Sequence, residues 1–451
     1  MVTRSPEPLN SLNYGDLAKA AQFLCALKLK DLDKDVIEKA KLCILDVLGS
    51  MLAGSLTKAG RIARSFSSRG LQSPEATVIG GDAKVSLQNA AFANAVMGSA
   101  YDIDDGHRRA AGHPGATIIS AALAVAEKSG CSGEELIESL VGGYEIALRI
   151  GESLYLATRQ VYGSGRWASV GAAAACCKLL GLDEQLTSSA LGIANTFSPV
   201  VPPKVLKESE SWPMTKEGAG WGAMVGLSAA LLSQQGFVGP TLARDLSHEL
   251  LVTLGKAYEI RNVYFKPYPS CRWTHCAIEA ALELKQHYNF RSSQIKSVKV
   301  STFRRALALS FTRPSTIESA QFSIPFTVGA ALAVGRMSID EVAEEQLDNS
   351  EILNIAGKVT LEHNEGYDKL FPEAIPAEVT IGLVNGDTFT KRKDVPKGNP
   401  RRPMSRSEML EKFRMLASRF PLSTNTIETI VSTVTELENC KDVSALLGYV
   451  R

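Results

Sequence analysis

Ala116-Thr117-Ile118-Ile119-Ser120-Ala121-Ala122-Leu123-Ala124-Val125-Ala126 is apolar almost throughout and built largely of small residues. The run is too short to span a bilayer, which takes about 20 apolar residues. It therefore reads as a helix buried on all sides. Asn89–Ala100, Gly171–Cys177 and Gly218–Ala230 have the same small-residue character, and Gly222–Leu232 is the other strongly apolar run. Helices rich in Ala and Gly let backbones approach closely, so these segments predict a compact bundle around central, fully buried helices. Further out, Val36-Ile37 with Ala40, Cys43-Ile44 and Val47-Leu48 repeats at the spacing of a helix packed against a core. Gly130, Gly181, Gly236 and Gly239 punctuate the run as caps and turns. No fixed-period repeat is evident, which disfavours a solenoid.

The pattern changes after Tyr264. Ile295–Val300 alternates with period two, as a half-buried strand does. Ala377–Val384 and Thr388–Lys391 flank Asn385-Gly386-Asp387, and Asn-Gly is a strong hairpin signal. Val359-Thr360-Leu361 reads as a further strand, with helices at Thr274–Gln286 and Phe326–Val334 between them. The expected architecture is mainly α: a large all-helical domain over 1–264, and a smaller α+β domain over 265–400 with a small antiparallel sheet. Ser405 and Glu408 form a capping box for a helix starting near Arg406, and another helix follows at Thr426–Leu437. This pair is expected to return to the helical domain, so that 401–451 completes it.

The 451 residues carry 49 Lys+Arg against 48 Asp+Glu, a net charge of +1. That balance, with no basic arm, argues against a nucleic-acid partner. The 45% hydrophobic and 22% charged fractions are those of a globular chain. Eight Cys without a CxxC pair argue against a zinc site and suit reduced thiols in a cytosol. Met1–Asn13 is polar, with neither the apolar region of a signal peptide nor the repeated Arg of a presequence. A cytoplasmic protein with no membrane partner is expected.

Four stretches are rich in chemistry. Tyr101–Gly115 packs Asp102, Asp104, Asp105, His107, Arg108, Arg109 and His113 between two apolar helices. A solvated loop has the same composition, but buried flanks turn the loop inward, where charges need partners or a ligand. Asp and His also ligate metals, yet the spacing matches no standard site, so no metal is expected. Tyr162-Gly163-Ser164-Gly165-Arg166-Trp167 places a Gly-x-Gly ahead of a helix, an anion-binding signal or a plain turn. Trp212–Gly222 brings Lys216 into an apolar helix, where a lysine either snorkels to the surface or serves as an acid–base group. Phe265–His275, with Lys266, Arg272 and His275, lies at the seam between the proposed domains. This inventory, without a cofactor motif, suits proton transfer at a carbon next to a carboxylate.

At Asp102-x-Asp104-Asp105-Gly106-His107 and Gly112-His113-Pro114-Gly115 the sequence resembles the MmgE/PrpD family, which includes 2-methylcitrate dehydratase, cis-aconitate decarboxylase and iminodisuccinate epimerase. The resemblance continues through Lys216-Glu217, Gly236–Pro240, Lys266–His275 and Glu318–Ser323, and covers nearly the whole chain. It implies a helical domain built from both chain ends, an α+β lid, a homodimer, no metal or organic cofactor, and a small di- or tricarboxylate substrate bound between domain and lid. It also implies catalytic roles for His113, Lys216, His275, Asp102 and Asp105. Decarboxylase members carry a His shortly before the small-residue helix, where this chain has Tyr162–Trp167. The Trp-containing insertion typical of the dehydratases is missing before His113-Pro114. The favoured reaction is loss of water, with epimerisation and decarboxylation as competitors and a non-catalytic carboxylate-binding scaffold as the non-enzyme alternative. Tyr162 enters as a candidate partner in proton transfer. Arg166, Arg272, Lys266 and His107 are expected to grip carboxylates, and Asp104 to act as a structural cap. For His113 the plain alternative is a buried backbone carbonyl satisfied by its ring.

Overall fold

The computed structural model describes residues 15–69, 73–158, 160–201, 212–243 and 251–451; the stretch Met1–Asn13 lies outside them. The helical part contains α1 (Leu17–Ala26), α2 (Lys34–Gly54), α3 (Lys58–Ser67), α4 (Leu87–Ser99), α5 (Gly115–Ser129), α6 (Gly133–Thr158), α7 (Gly165–Leu179), α8 (Glu184–Phe197) and α9 (Ala219–Gln234). The four small-residue segments fall in α4, α5, α7 and α9 or at their edges, and α5 is buried from Gly115 to Glu127. The close approach is literal: a Cβ on Gly226 of α9 would lie 2.4 Å from the Ser169 carbonyl of α7. Only glycine lets these two helices pack at that separation. Gly130 ends α5 in the left-handed conformation.

The second part contains α10 (His275–Tyr288), α11 (Ile317–Gln321), α12 (Ile324–Val334), α13 (Ser350–Ala356) and α14 (Glu365–Asp368). Two short strands precede it in the labelling, β1 (Gly106–His107) and β2 (Val263–Tyr264). The main sheet is formed by β3 (Ile295–Thr302), β4 (Val359–His363), β5 (Ala377–Leu383) and β6 (Thr388–Lys393), in the order β6-β5-β3-β4. The β6–β5 and β5–β3 pairs are antiparallel, and Gly386 supplies the left-handed φ of +97° in the hairpin between β5 and β6. The edge strand β4 joins β3 in parallel, a detail the alternation pattern alone did not carry. The fold is mainly α with a small sheet-bearing part, as expected.

Ser405 and Glu408 cap α15 (Arg406–Ala417), which is followed by α16 (Thr424–Thr435) and α17 (Ser444–Gly448). Met409, Phe413, Ile430 and Leu446 from these helices belong to the same buried cluster as α1–α9. A separate cluster runs from Cys276 to Leu383. All eight cysteines are free thiols. Among the described residues no single helix is long and apolar enough to cross a membrane.

Candidate active site

The acidic loop leaves the buried helix α4 and returns into the buried helix α5, so it is anchored at both ends in the core. β1, in mid-loop, pairs with β2, and His107 closes a small bridge to Gly112. These constraints hold the loop against β2, just ahead of Lys266. Asp102 has φ +51° and Lys216 φ +40°, left-handed values that are uncommon outside glycine and cluster at functional sites. These two strained residues meet, with Lys216 Nζ 3.5 Å from Asp102 Oδ1.

Asp102 is the hub. Lys266 Nζ donates to its Oδ2 at 2.8 Å, and His113 Nε2 lies 3.9 Å from Oδ1. Lys216 Nζ also donates to the Ser99 carbonyl at 2.7 Å and to Gln321 Oε1 on α11 at 2.9 Å. Asp102 is 3% exposed, Lys216 3% and Lys266 0%, so mutual pairing is what makes these charges tolerable. Burial alone would raise the Asp102 carboxyl, but Lys216, Lys266 and His113 outweigh it and hold it well below the usual carboxylate range. The Asp102 carboxylate thus organises two lysines.

His113 is set with equal care. Its main-chain N–H donates to Ser164 Oγ at 2.7 Å, and that hydroxyl donates to Glu217. Nδ1 lies 2.7 Å from the Asp105 carbonyl, an obligate acceptor, so Nδ1 is assigned the hydrogen and Nε2 faces Asp102. The plain reading of His113 is therefore half of the picture: one nitrogen satisfies a carbonyl and thereby aims the other. Burial and the Lys266 charge push the imidazole down, while Asp104, Glu217 and Asp102 carry it above its ordinary value. Asp105 accepts from the Gly115 N–H at 2.8 Å and from the Tyr144 hydroxyl at 2.7 Å. Burial and Asp46 raise its carboxyl to about 7. The Asp104 carboxyl is likewise raised by burial, and its Oδ2 is buried without a hydrogen-bond partner.

The remaining expected residues divide. His275 accepts from Arg272 Nη1 at 3.2 Å through Nδ1 and reaches the Ser270 carbonyl at 3.1 Å through Nε2. Burial, Arg272 and Lys266 hold it well below its ordinary range, so it is a neutral ring with both nitrogens engaged. Arg272 donates to the Lys397 carbonyl at 2.9 Å and lies 4.7 Å over the Tyr264 ring. His107 accepts from the Ala110 N–H and faces Glu259 at 3.5 Å, while Arg166 grips Asn195 and Ser198 at the end of α8. The structure thus engages His107 with Ala110 and Glu259 and Arg166 with Asn195 and Ser198, and not with Asp102. Tyr162 is partly buried in the turn before α7.

Sequence reasoning missed Ser164, Glu217, Gln321, Tyr144 and Tyr264. Ser164, Glu217 and Gln321 lay inside stretches already singled out, next to the residues chosen. Tyr144 sits in the middle of the buried helix α6 and gave no signal. Among the described residues no three His, Cys, Asp or Glu side chains gather as a metal-holding group.

The profile of the MmgE/PrpD N-terminal domain matches residues 18–262, and that of the MmgE/PrpD C-terminal domain matches residues 268–437. A cis-aconitate decarboxylase-like protein, oryM, of Aspergillus oryzae is 28% identical, with 96% of each chain covered. Human cis-aconitate decarboxylase is 27% identical over 96% of this chain and 93% of its own. A cis-aconitate decarboxylase of Aspergillus terreus is 24% identical over 96% and 95%. With both profiles in order along its length, the chain belongs to the MmgE/PrpD family.

Proposed function

We propose that the chain is a cofactor-independent lyase acting on a small di- or tricarboxylic acid at the carbon next to a carboxylate. The observation that carries this reading is the set of Lys216, Lys266 and His113 gathered around the carboxylate of Asp102. The lysines would hold carboxylates and stabilise the charge that develops when a bond at that carbon breaks. Asp102 keeps these cations in place while no substrate is bound. His113, carried above its ordinary pKa, supplies a proton.

That single acid favours loss of carbon dioxide over the loss of water favoured by sequence. In a β,γ-unsaturated acid the C–CO2 bond breaks and its electron pair forms a new double bond. The displaced π pair then takes the His113 proton at the carbon α to a second carboxylate. No base is needed, and the decarboxylase names of the relatives support the choice. Epimerisation is the second reading, favoured by Tyr162 standing where decarboxylases have a histidine, since a tyrosine and a lysine could serve opposite faces of the carbon.

The test follows cis-aconitate and citrate-type hydroxy acids by NMR in deuterated water. Release of carbon dioxide with one deuterium in the product supports decarboxylation; an alkene without carbon dioxide supports dehydration. Deuterium exchange with inversion supports epimerisation, and no turnover of any of these acids overturns the lyase reading. From the two separate cores we further propose a helical domain of 1–264 completed by 401–451 and a lid of 265–400; the homodimeric assembly and cytoplasmic location expected from the sequence remain part of the proposal.

A further inference from the structure

The two ring nitrogens of His113 face two different carboxylates. Nε2 lies 3.9 Å from Asp102 Oδ1, and Nδ1, on the other edge of the ring, lies 3.9 Å from Asp104 Oδ1. The two carboxylates are committed very differently. Asp102 is shared with Lys266 at 2.8 Å and Lys216 at 3.5 Å. Among the described residues no lysine or arginine comes within the 4.0 Å of an ion pair to Asp104, which leaves His113 as its partner. The Asp104 side chain is 1% exposed, and its Oδ2 is buried without a hydrogen-bond partner. A capping carboxylate accepts from a main-chain N–H, as Asp105 does from Gly115. Among the described residues Asp104 accepts no such bond, so the structural cap expected of it is not what the loop builds.

The other acidic groups around the ring are engaged elsewhere. The Asp105 carboxyl takes the Gly115 N–H and the Tyr144 hydroxyl, and only its main-chain carbonyl meets His113. Glu217, in the segment before α9, accepts from the Ser164 hydroxyl. Among the cations, Lys266 after β2 and Lys216 before α9 are both paired with Asp102, and the Tyr264 ring of β2 meets the imidazole edge-on with centroids 6.4 Å apart. A buried carboxylate with no donor is costly, and so is a buried imidazolium beside a lysine, unless a charge compensates each. Asp104 and His113 supply that charge to one another. Burial raises the Asp104 carboxyl, and of the cations that draw it back down His113 acts most strongly, ahead of Lys266 and Lys216. Burial and Lys266 lower His113 in turn, and Asp104 leads Glu217 and Asp102 in raising it.

We infer that Asp104 is the dedicated counter-ion of His113, a positioning residue that holds the ring as an imidazolium with Nδ1–H on the Asp105 carbonyl and the reactive proton on Nε2. The inference deepens the lyase reading and rests on it for the fate of that proton. It divides the work of the acidic loop: Asp102 orders the lysines, and Asp104 charges the acid.

The experiment titrates the full chain by NMR with 15N-labelled histidine, the His113 signal among the six histidines being the one lost in His113→Gln. Asp104→Asn keeps the shape and removes the charge. It is expected to lower the His113 titration by about one pH unit or more, the effect of losing an opposite charge at this distance. The falling limb of the kcat/KM profile, which reports the free enzyme's acid, should move down by the same amount. Glu217→Gln should move both less. The coupling is reciprocal, so His113→Gln should raise the Asp104 carboxyl titration, followed by 13C, by a similar amount. That second variant reads the same pair with the carboxylate in place, should Asp104→Asn melt below the working temperature. The counter-ion is overturned if Asp104→Asn leaves the His113 titration where the parent has it or raises it. It is equally overturned if Glu217→Gln lowers that titration more, or if Asp104→Asn changes only the melting temperature and kcat. Linked titrations in a chain that turns over no acid sink the lyase and leave the counter-ion. Turnover whose profile ignores Asp104→Asn, with His113 unshifted, does the reverse.

Discussion

At the scale of the residue, His113 concentrates the chemistry, and its titration has a definite sign. Its folded pKa lies above its ordinary 6.5 once Asp104, Glu217 and Asp102 have outweighed burial and Lys266. A raised histidine contributes stability that is fully present below the unfolded pKa and is lost as pH climbs through the folded value. The same protonation supplies the reactive acid, so turnover and this part of the stability should fall together above pH 6.5. His113→Gln should lose turnover by about 100-fold or more, the usual weight of a positioned acid. Its melting temperature should lie further below the parent at pH 6 than at pH 9; an equal gap at both pH values would show that the imidazolium is not favoured by the fold. Much of this site was legible in sequence. Asp102, His113, Lys216 and Lys266 stand out because charged residues inside apolar, small-residue surroundings need a reason. Ser164 and Gln321 did not, because an uncharged polar side chain reads alike in a turn and in a network. For His107 and Arg166 the sequence did not show which way the side chain turns: one meets Ala110 and Glu259, the other Asn195 and Ser198.

At the scale of the element, small residues decide how close helices come, and this was the most legible feature of all. A glycine or alanine run excludes the large side chains that would hold two helices apart, so α5, α7 and α9 could be placed at the centre without knowing their partners. The parallel edge strand β4 was not legible, since strand order depends on chain connections and not on alternation. The docking of α15 lies between these cases. Its capping box fixes where it starts, but its seat depends on Lys412, which donates to Asp46 on α2 at 2.5 Å and to the Ile103 carbonyl in the acidic loop at 2.7 Å. Burial holds Asp46 up at about 6 even with Lys412 beside it, and Asp46 Oδ2 has no hydrogen-bond partner. Lys412→Met should therefore cost about 3–5 kcal/mol in urea unfolding, the typical consequence of orphaning a buried charge. Adding Asp46→Asn should recover a good part of that loss. A double variant no more stable than Lys412→Met would mean that the lysine acts by packing and not by pairing.

At the scale of the whole molecule, two apolar cores meet across a seam that carries several specific polar contacts besides a small apolar cluster of Ala53, Ile103, Ile339 and Leu416. Gln321 Nε2 donates to the Ala100 carbonyl at 2.9 Å while its Oε1 accepts from Lys216. The Trp212 N–H donates to Ser319 Oγ at 3.0 Å, and its ring stacks on Phe322 at 3.9 Å. Arg108 adds a latch to the Pro372 carbonyl. Gln321 is 0% exposed, so both of its bonds are made out of water; breaking them strands the Ala100 carbonyl and removes one of the acceptors of Lys216. Contacts of this kind make one cooperative unit of two cores that each have an apolar interior, and the same contacts hold Lys216 toward Asp102. Stability and activity should therefore be coupled at the seam. The parent is expected to show one transition in scanning calorimetry. With Trp212→Ala and Gln321→Ala combined, the transition should split, the smaller core around the sheet melting first because it buries less apolar surface. Turnover of the double variant should fall even at temperatures where both cores remain folded, since Lys216 has lost the Gln321 acceptor. A single transition at the parental temperature with unchanged turnover would show that the cores are joined elsewhere and that Gln321 does not position the lysine.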